Sequence, residues 1–157
     1  MQESYEERMI EAFIAKPEKE KWYKQAFSTF NINGVDVMKW KWSWWAFFCG
    51  FLYLLYRKTY LPALVLFLLT IVANFIPLVG GLILMILAGG YGPYFVYRTY
   101  KVKKLEIEAI VEDEQKRIET MRHAGGYNQW VVWVYAIIVT LTFIGVLGAI
   151  LLPQFAS

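Results

Sequence analysis

Residues 59–97 hold no Asp, Glu, Lys, Arg or His over 39 positions, and residues 130–152 form a second uncharged, mostly apolar run. A hydrocarbon core about 30 Å thick takes ~20 helical residues to cross. The first run is therefore long enough for two passes, divided at the turn signal Asn74-Phe-Ile-Pro77. The second, about 34 Å long as a helix, suffices for one. At 58% hydrophobic and 18% charged residues the chain is too apolar for an ordinary soluble domain of 157 residues. The expected fold class is all-α, a helical integral membrane protein.

Between and before these runs the charge is blocked. Seven of the sixteen Lys and Arg lie in residues 1–41, two are Arg57 and Lys58, and seven lie in residues 98–122. Positive-inside reasoning places all three groups in the cytoplasm, with three spans and the carboxyl terminus outside. The first fifteen residues carry Glu3, Glu6, Glu7 and Glu11 and lack the basic start and apolar run of a secretory signal. Acidic and basic residues nearly balance, so no one-signed face suggests a nucleic-acid partner. One histidine, His123, and one cysteine, Cys49, leave no metal cluster, no disulfide and no nucleophile–base pair, so neither cofactor nor enzyme is expected.

Local signals divide the rest. Ser4-x-x-Glu7 reads as a capping box opening a short amphipathic helix that ends near Lys16, and Pro17 suits the first turn of a second. Trp22, Tyr23, Ala26, Phe27 and Phe30 recur there at helical spacing until Asn33-Gly34 turns the chain. That stripe reads as packing against the first helix and the membrane surface, with a ligand groove as the alternative. The cluster Trp40, Trp42, Trp44, Trp45 with neighbouring lysines suits the headgroup level. Only about 15 uncharged positions follow before Arg57 and Lys58, so residues 42–56 read as an interfacial or re-entrant helix.

Gly89, Gly90, Gly92 and Pro93 weaken the second arm of the expected hairpin and predict a kink. Residues 98–123 read as one charged helix, with Glu112/Lys116 and Asp113/Arg117 four apart. Its partial stripe of Ile107, Ile110, Val111, Ile118 and Met121 predicts docking on the amino-terminal pair or on a partner. The expected segments are thus 1–41, amphipathic helices; 42–58, interfacial; 59–97, membrane hairpin; 98–126, charged cytoplasmic helix; and 127–157, final transmembrane helix.

Trp42-Ser-Trp-Trp-Ala-Phe-Phe-Cys-Gly50 followed by Leu54-Leu-Tyr-Arg-Lys-Thr-Tyr60 resembles the signature of a bacterial family of small membrane proteins known only as domain of unknown function 2628. Trp45, Thr59 and Tyr53 depart from its usual pattern. The resemblance covers residues 13–104 and implies membrane residence but no activity. Residues 136–155 are similar to the membrane helix of type IV pilins, although Ala136 stands where that pattern has a glutamate and Val131 where it has the cleavage glycine. Pilin-type processing is therefore not expected.

These features favour a non-enzymatic scaffold or accessory subunit of a membrane assembly. A small oligomeric transporter or channel, with the glycine segment as hinge or constriction, is the alternative. Expected partners are a bilayer with anionic headgroups, met by Lys39, Lys41, Arg57, Lys58, Arg98, Lys101, Lys103 and Lys104 at about 1 kcal/mol each. A second copy or a partner helix would pack on the small face made by Gly145 and Ala149.

Overall fold

The computed structural model describes residues 4–155 except Asn74, Pro77 and Leu78, with side chains as far as Leu151. Helix α1 (Tyr5–Ile14) opens with the expected reciprocal cap. Glu7 N–H donates to Ser4 Oγ at 3.3 Å, and Ser4 N–H donates to the Glu7 carboxylate at 3.0 Å. Each covers a donor that the first helical turn leaves unpaired. Helix α2 (Pro17–Phe30) begins on its proline, and strands β1 (Asn31–Ile32) and β2 (Val35–Asp36) follow as a hairpin not anticipated in the sequence. Asn33 and Gly34 both take positive φ, as a two-residue hairpin turn demands.

Residues 42–56 do not form one helix. Ser43 caps α3 (Trp44–Cys49), the chain breaks at Gly50 with φ +51, and α4 (Phe51–Tyr56) resumes. That φ is left-handed and unfavourable for any residue with a Cβ. The hairpin is α5 (Tyr60–Ala73) and α6 (Val79–Ile110), with the anticipated turn residues Asn74 and Pro77 outside the described residues. Fourteen residues make α5 about 21 Å long, short of a full crossing.

Among the described residues, two helices, α6 and α8 (Trp130–Phe155), are long and apolar enough to cross a membrane. The remaining arm of the expected hairpin, α5, is a shorter apolar helix. The chain is all-α apart from the small hairpin.

The change from uncharged to charged sequence at Arg98 does not interrupt α6, because its backbone hydrogen bonds are indifferent to what surrounds them. The expected single charged helix is therefore split. Its first half is the end of α6, and α7 (Glu114–Ala124) starts afresh with Asp113 as cap, accepting from Lys116 N–H at 2.8 Å. Helix α7 docks on α1: Met121 is buried, Gly126 N–H donates to the Phe13 carbonyl at 2.8 Å, and Arg8 pairs with Glu114. Ile110, expected on the apolar stripe, is instead exposed near the break.

The core of this charged head is aromatic. The Phe27 ring lies 5.3 Å from Tyr97 and 5.4 Å from Tyr100, and Phe13 lies 5.4 Å from Tyr100. Such pairs contribute ~0.5–1.5 kcal/mol each beyond burial. The Tyr100 hydroxyl donates to Glu6 at 2.8 Å, which removes the cost of burying it.

Pro93 sits inside α6, and the helix runs through it without a break. A proline has no N–H for the carbonyl four residues earlier, here Gly89. Ser43 N–H fills that vacancy at 2.8 Å, and Lys41 N–H donates to the Gly90 carbonyl at 2.9 Å. A Cβ on Gly90 would fall 2.5 Å from the Trp40 ring, and one on Gly92 would fall 2.9 Å from Ala46 Cβ. The segment expected to kink also serves as a seat for residues 40–46.

Candidate functional site

The seat fixes residues 40–46, and with them an aromatic cleft of about 520 Å³ bounded by α2, by α3 and α4, and by the first turns of α8. Trp22 and Tyr23 come from one helical turn of α2; Trp42, Trp44 and Trp45 come from the extended segment and α3. Val131, Val132 and Tyr135 form the α8 wall. Asn128 holds that wall in place. Its N–H donates to the Tyr56 carbonyl at 2.8 Å and its Nδ2 to the Leu55 carbonyl at 2.7 Å. Both are carbonyls of the last turn of α4, where the helix stops; Leu55 also accepts from the Lys58 N–H at 3.1 Å.

At the closed side lies Arg57, only 3% exposed. Its Nη1 donates to the Ile14 carbonyl at 3.1 Å, and its guanidinium sits 4.5 Å from the centre of the Tyr23 ring. Among the described residues no carboxylate pairs with it, and its Nε has no hydrogen-bond partner. Burying a guanidinium without an anion costs several kcal/mol even after relaxation. The nearby phenols do not supply one. The Tyr23 and Tyr53 hydroxyls share a hydrogen bond at 2.9 Å, and burial raises the Tyr53 pKa well above its ordinary value, so it stays neutral.

A second donor is orphaned on the same cleft: Trp42 Nε1 is buried and without a partner. At the rim, Lys16 lies over the Tyr127 ring at 4.6 Å and Lys19 over Trp45 at 6.0 Å. The Lys16 ammonium is stabilised by its side-chain contact with Tyr56, which raises its pKa. Glu18, 3.8 Å from Lys16, is the acidic residue on this wall. Cys49 also lines the cleft, its thiol pushed up in pKa by burial.

The sequence-predicted residues separate. Trp40, Trp44 and Trp45 are exposed, as a surface belt requires, with Trp44 and Trp45 63% and 64% accessible. Trp42 is drawn inward, its ring 6.1 Å from Trp40 and 5.3 Å from Phe47. Arg57, expected beside headgroups at the surface, is buried, because it closes the contact between α1 and α4. Lys58 reaches the Gly125 carbonyl at 2.6 Å. Lys103 donates to the Ala124 carbonyl at 2.6 Å, Lys104 pairs with Glu6, and Lys101 lies 3.6 Å from Asp36. Five of the eight expected lipid-facing cations are therefore tied into the fold.

Gly145 and Ala149 lie on the stretch of α8 that is almost wholly exposed from Ala136 to Leu151, and nothing approaches within 4 Å of a Cβ built on Gly145. The sequence reading missed Tyr23, Tyr53 and Asn128 as site residues. Tyr23 was visible only as one wall of a possible groove, and Asn128 carried no signal because its partners lie seventy residues away.

Fold and cleft together define an all-α protein with two helices of membrane-crossing length and a charged helical head. The chain belongs to the family described as Protein of unknown function (DUF2628), whose model matches residues 6–101. That match takes in α1 through most of α6, hence Arg57, Trp42 and the glycine seat, but not α7 or α8. No curated protein and no solved structure matches the chain.

Proposed function

We propose that this protein is a multi-pass anchor in the bacterial cytoplasmic membrane, acting as a non-enzymatic scaffold or accessory subunit. The observation that carries the reading is α8, whose most apolar stretch has no residue buried inside the protein. An apolar helix exposed over so long a stretch would be an aggregation site in water, whereas in lipid its backbone is satisfied internally and its side chains are solvated. Helix α5 and the first half of α6 also expose large apolar side chains, among them Leu61, Val65, Phe67 and Ile83.

The head sits in the cytoplasm, where the Lys and Arg lie. Because α1 and α7 pack together, both ends of the α5–α6 hairpin return to one side whether it crosses fully or re-enters, and α8 alone decides the location of the carboxyl terminus. The pilin-like sequence of α8 and its Gly145/Ala149 face suit pairing with a second copy or a partner helix. The channel alternative loses its main argument, since Gly89, Gly90 and Gly92 are covered by residues 40–53 and no ionisable side chain marks an ion path in the apolar runs.

Alkaline carbonate extraction of native membranes tests the anchor: retention in the pellet supports it, and release into the supernatant removes it. Affinity capture from detergent extract with mass spectrometry then separates the roles. A stoichiometric partner supports the scaffold, and recovery of a discrete homo-oligomer that conducts solute in liposomes refutes it.

A further inference from the structure

Arg57 and Trp42 both line the aromatic cleft, each has a buried donor without a partner, Nε and Nε1, and the lining carries more positive than negative charge. The geometry points to a binding site for a single anionic phospholipid, its phosphate taken by Arg57 and Trp42 and its acyl chains laid along the first turns of α8. This inference rests on the membrane reading.

The charge decides the ligand's sign. Lys16, Lys19 and Arg57 face one carboxylate, Glu18, so the cleft is cationic by two. Aromatic walls of this kind also suit a quaternary ammonium, but a buried guanidinium already occupies the Tyr23 face at 4.5 Å and repels a second cation. An anion supplies what Arg57 lacks, a counter-charge and an acceptor for Nε. Trp42 Nε1 is a neutral donor of the same kind, with no acceptor of its own.

The walls decide the ligand's form. The cleft is also lined by Leu52 and by Val131, Val132 and Tyr135 of α8, whose apolar surface runs on into the exposed part of that helix. Free phosphate would leave that surface wet, whereas an amphiphile covers it. The lining thiol, Cys49, reports occupancy without added label, because a bound chain shields it.

The test uses the full chain purified in a neutral maltoside. It is titrated with short-chain phosphatidylglycerol, short-chain phosphatidylcholine or inorganic phosphate, and followed by native mass spectrometry and by maleimide alkylation of Cys49. The expected result is one phosphatidylglycerol per chain with slowed alkylation, and at least about tenfold weaker effects of the other two ligands. Arg57→Gln, which keeps a donor for Ile14, and Trp42→Phe, which keeps a ring, should each weaken phosphatidylglycerol by about tenfold. Lys101→Gln, the same charge change outside the cleft, should not. Trp42→Phe decides the matter if Arg57→Gln fails to fold. Equal binding of phosphatidylcholine overturns anion recognition, equal protection by inorganic phosphate overturns the amphiphile, and wild-type binding by Trp42→Phe overturns the site. Carbonate extraction scores the membrane reading separately, since binding in micelles does not depend on insertion.

Discussion

Ser43 N–H donates to the carbonyl of Gly89 at 2.8 Å, taking the place of the hydrogen bond that Pro93 cannot make within α6. One backbone contact thus converts a helix defect into an attachment point, and it explains why three glycines gather around it. A methyl at Gly92 would fall 2.9 Å from Ala46 Cβ, which is bound rigidly to its own helix and cannot rotate away.

Gly92→Ala should therefore destabilise the protein by roughly 1–3 kcal/mol through overpacking, outweighing the ~1 kcal/mol that alanine offers a helix. Gly81→Ala has open space around it and should stabilise by up to about 1 kcal/mol. Thermal unfolding of both variants in detergent compares them, and a Gly92→Ala protein as stable as Gly81→Ala would remove the seat from the account.

Short-range features were legible in the sequence because their partners are a few residues away. The Ser4/Glu7 box, the proline start of α2 and the Asn33-Gly34 turn all follow from local backbone needs. Gly89 to Pro93 announced weak helix but not what fills it, since the filler is nearly fifty residues upstream. Arg57 and Lys58 read as topology markers, which a charge pair in an apolar stretch usually is, yet the first is buried against α1 and the second bridges to Gly125. The continuity of α6 past Arg98 was hidden because charge marks where water begins, not where a helix ends. The cleft is the least legible feature, being assembled from three distant segments.

Asn128 joins two of those segments. Asn128→Ala removes the Nδ2 bond to the Leu55 carbonyl, which keeps the Lys58 N–H as a donor at 3.1 Å, so the cost is that of one hydrogen bond, about 0.5–1.5 kcal/mol. The α8 wall should loosen with it. Hydrogen exchange at the amides of residues 130–135 should rise in the variant, and unchanged protection there would show that α8 is held by other contacts.

Cys49 offers a pH prediction. Burial raises its thiol pKa, with the Tyr135 hydroxyl acting weakly the other way. Only the thiolate attacks maleimide, so a raised pKa leaves less of the reactive form at neutral pH. Alkylation in the folded protein should be slow at pH 7 and should climb with an inflection at higher pH than that of a free thiol. Unfolding in dodecyl sulfate should restore the ordinary profile. An inflection at or below the free-thiol value would mean that Cys49 is not shielded by the cleft.

Opposite placement of the two termini follows from the proposed anchor, because the packed head returns the hairpin to its starting side and leaves one crossing unmatched. Reporter fusions at Met1 and Ser157 should read cytoplasmic and external respectively. Two cytoplasmic signals would require α8 to lie along the membrane rather than through it.

The bare surface of α8 leads to the last prediction. In lipid, helices gain little from burying apolar area against one another, since the tails are as apolar as leucine, and association depends on close backbone approach. Gly145 permits that approach, with nothing within 4 Å of where its Cβ would stand, and Ala149 lies one turn on along the same face. Gly145→Leu should break the association, while Val146→Leu, beside the seam, should leave it. Thr142 bonds its own helix at the Ile138 carbonyl, 2.8 Å away, and a switch of that hydroxyl across the seam would add only ~0.6 kcal/mol, so Thr142→Ala should have a small effect. A membrane two-hybrid reporter fused to the full-length chain ranks the three, and equal signal from Gly145→Leu and the unsubstituted chain would reduce α8 to an anchor.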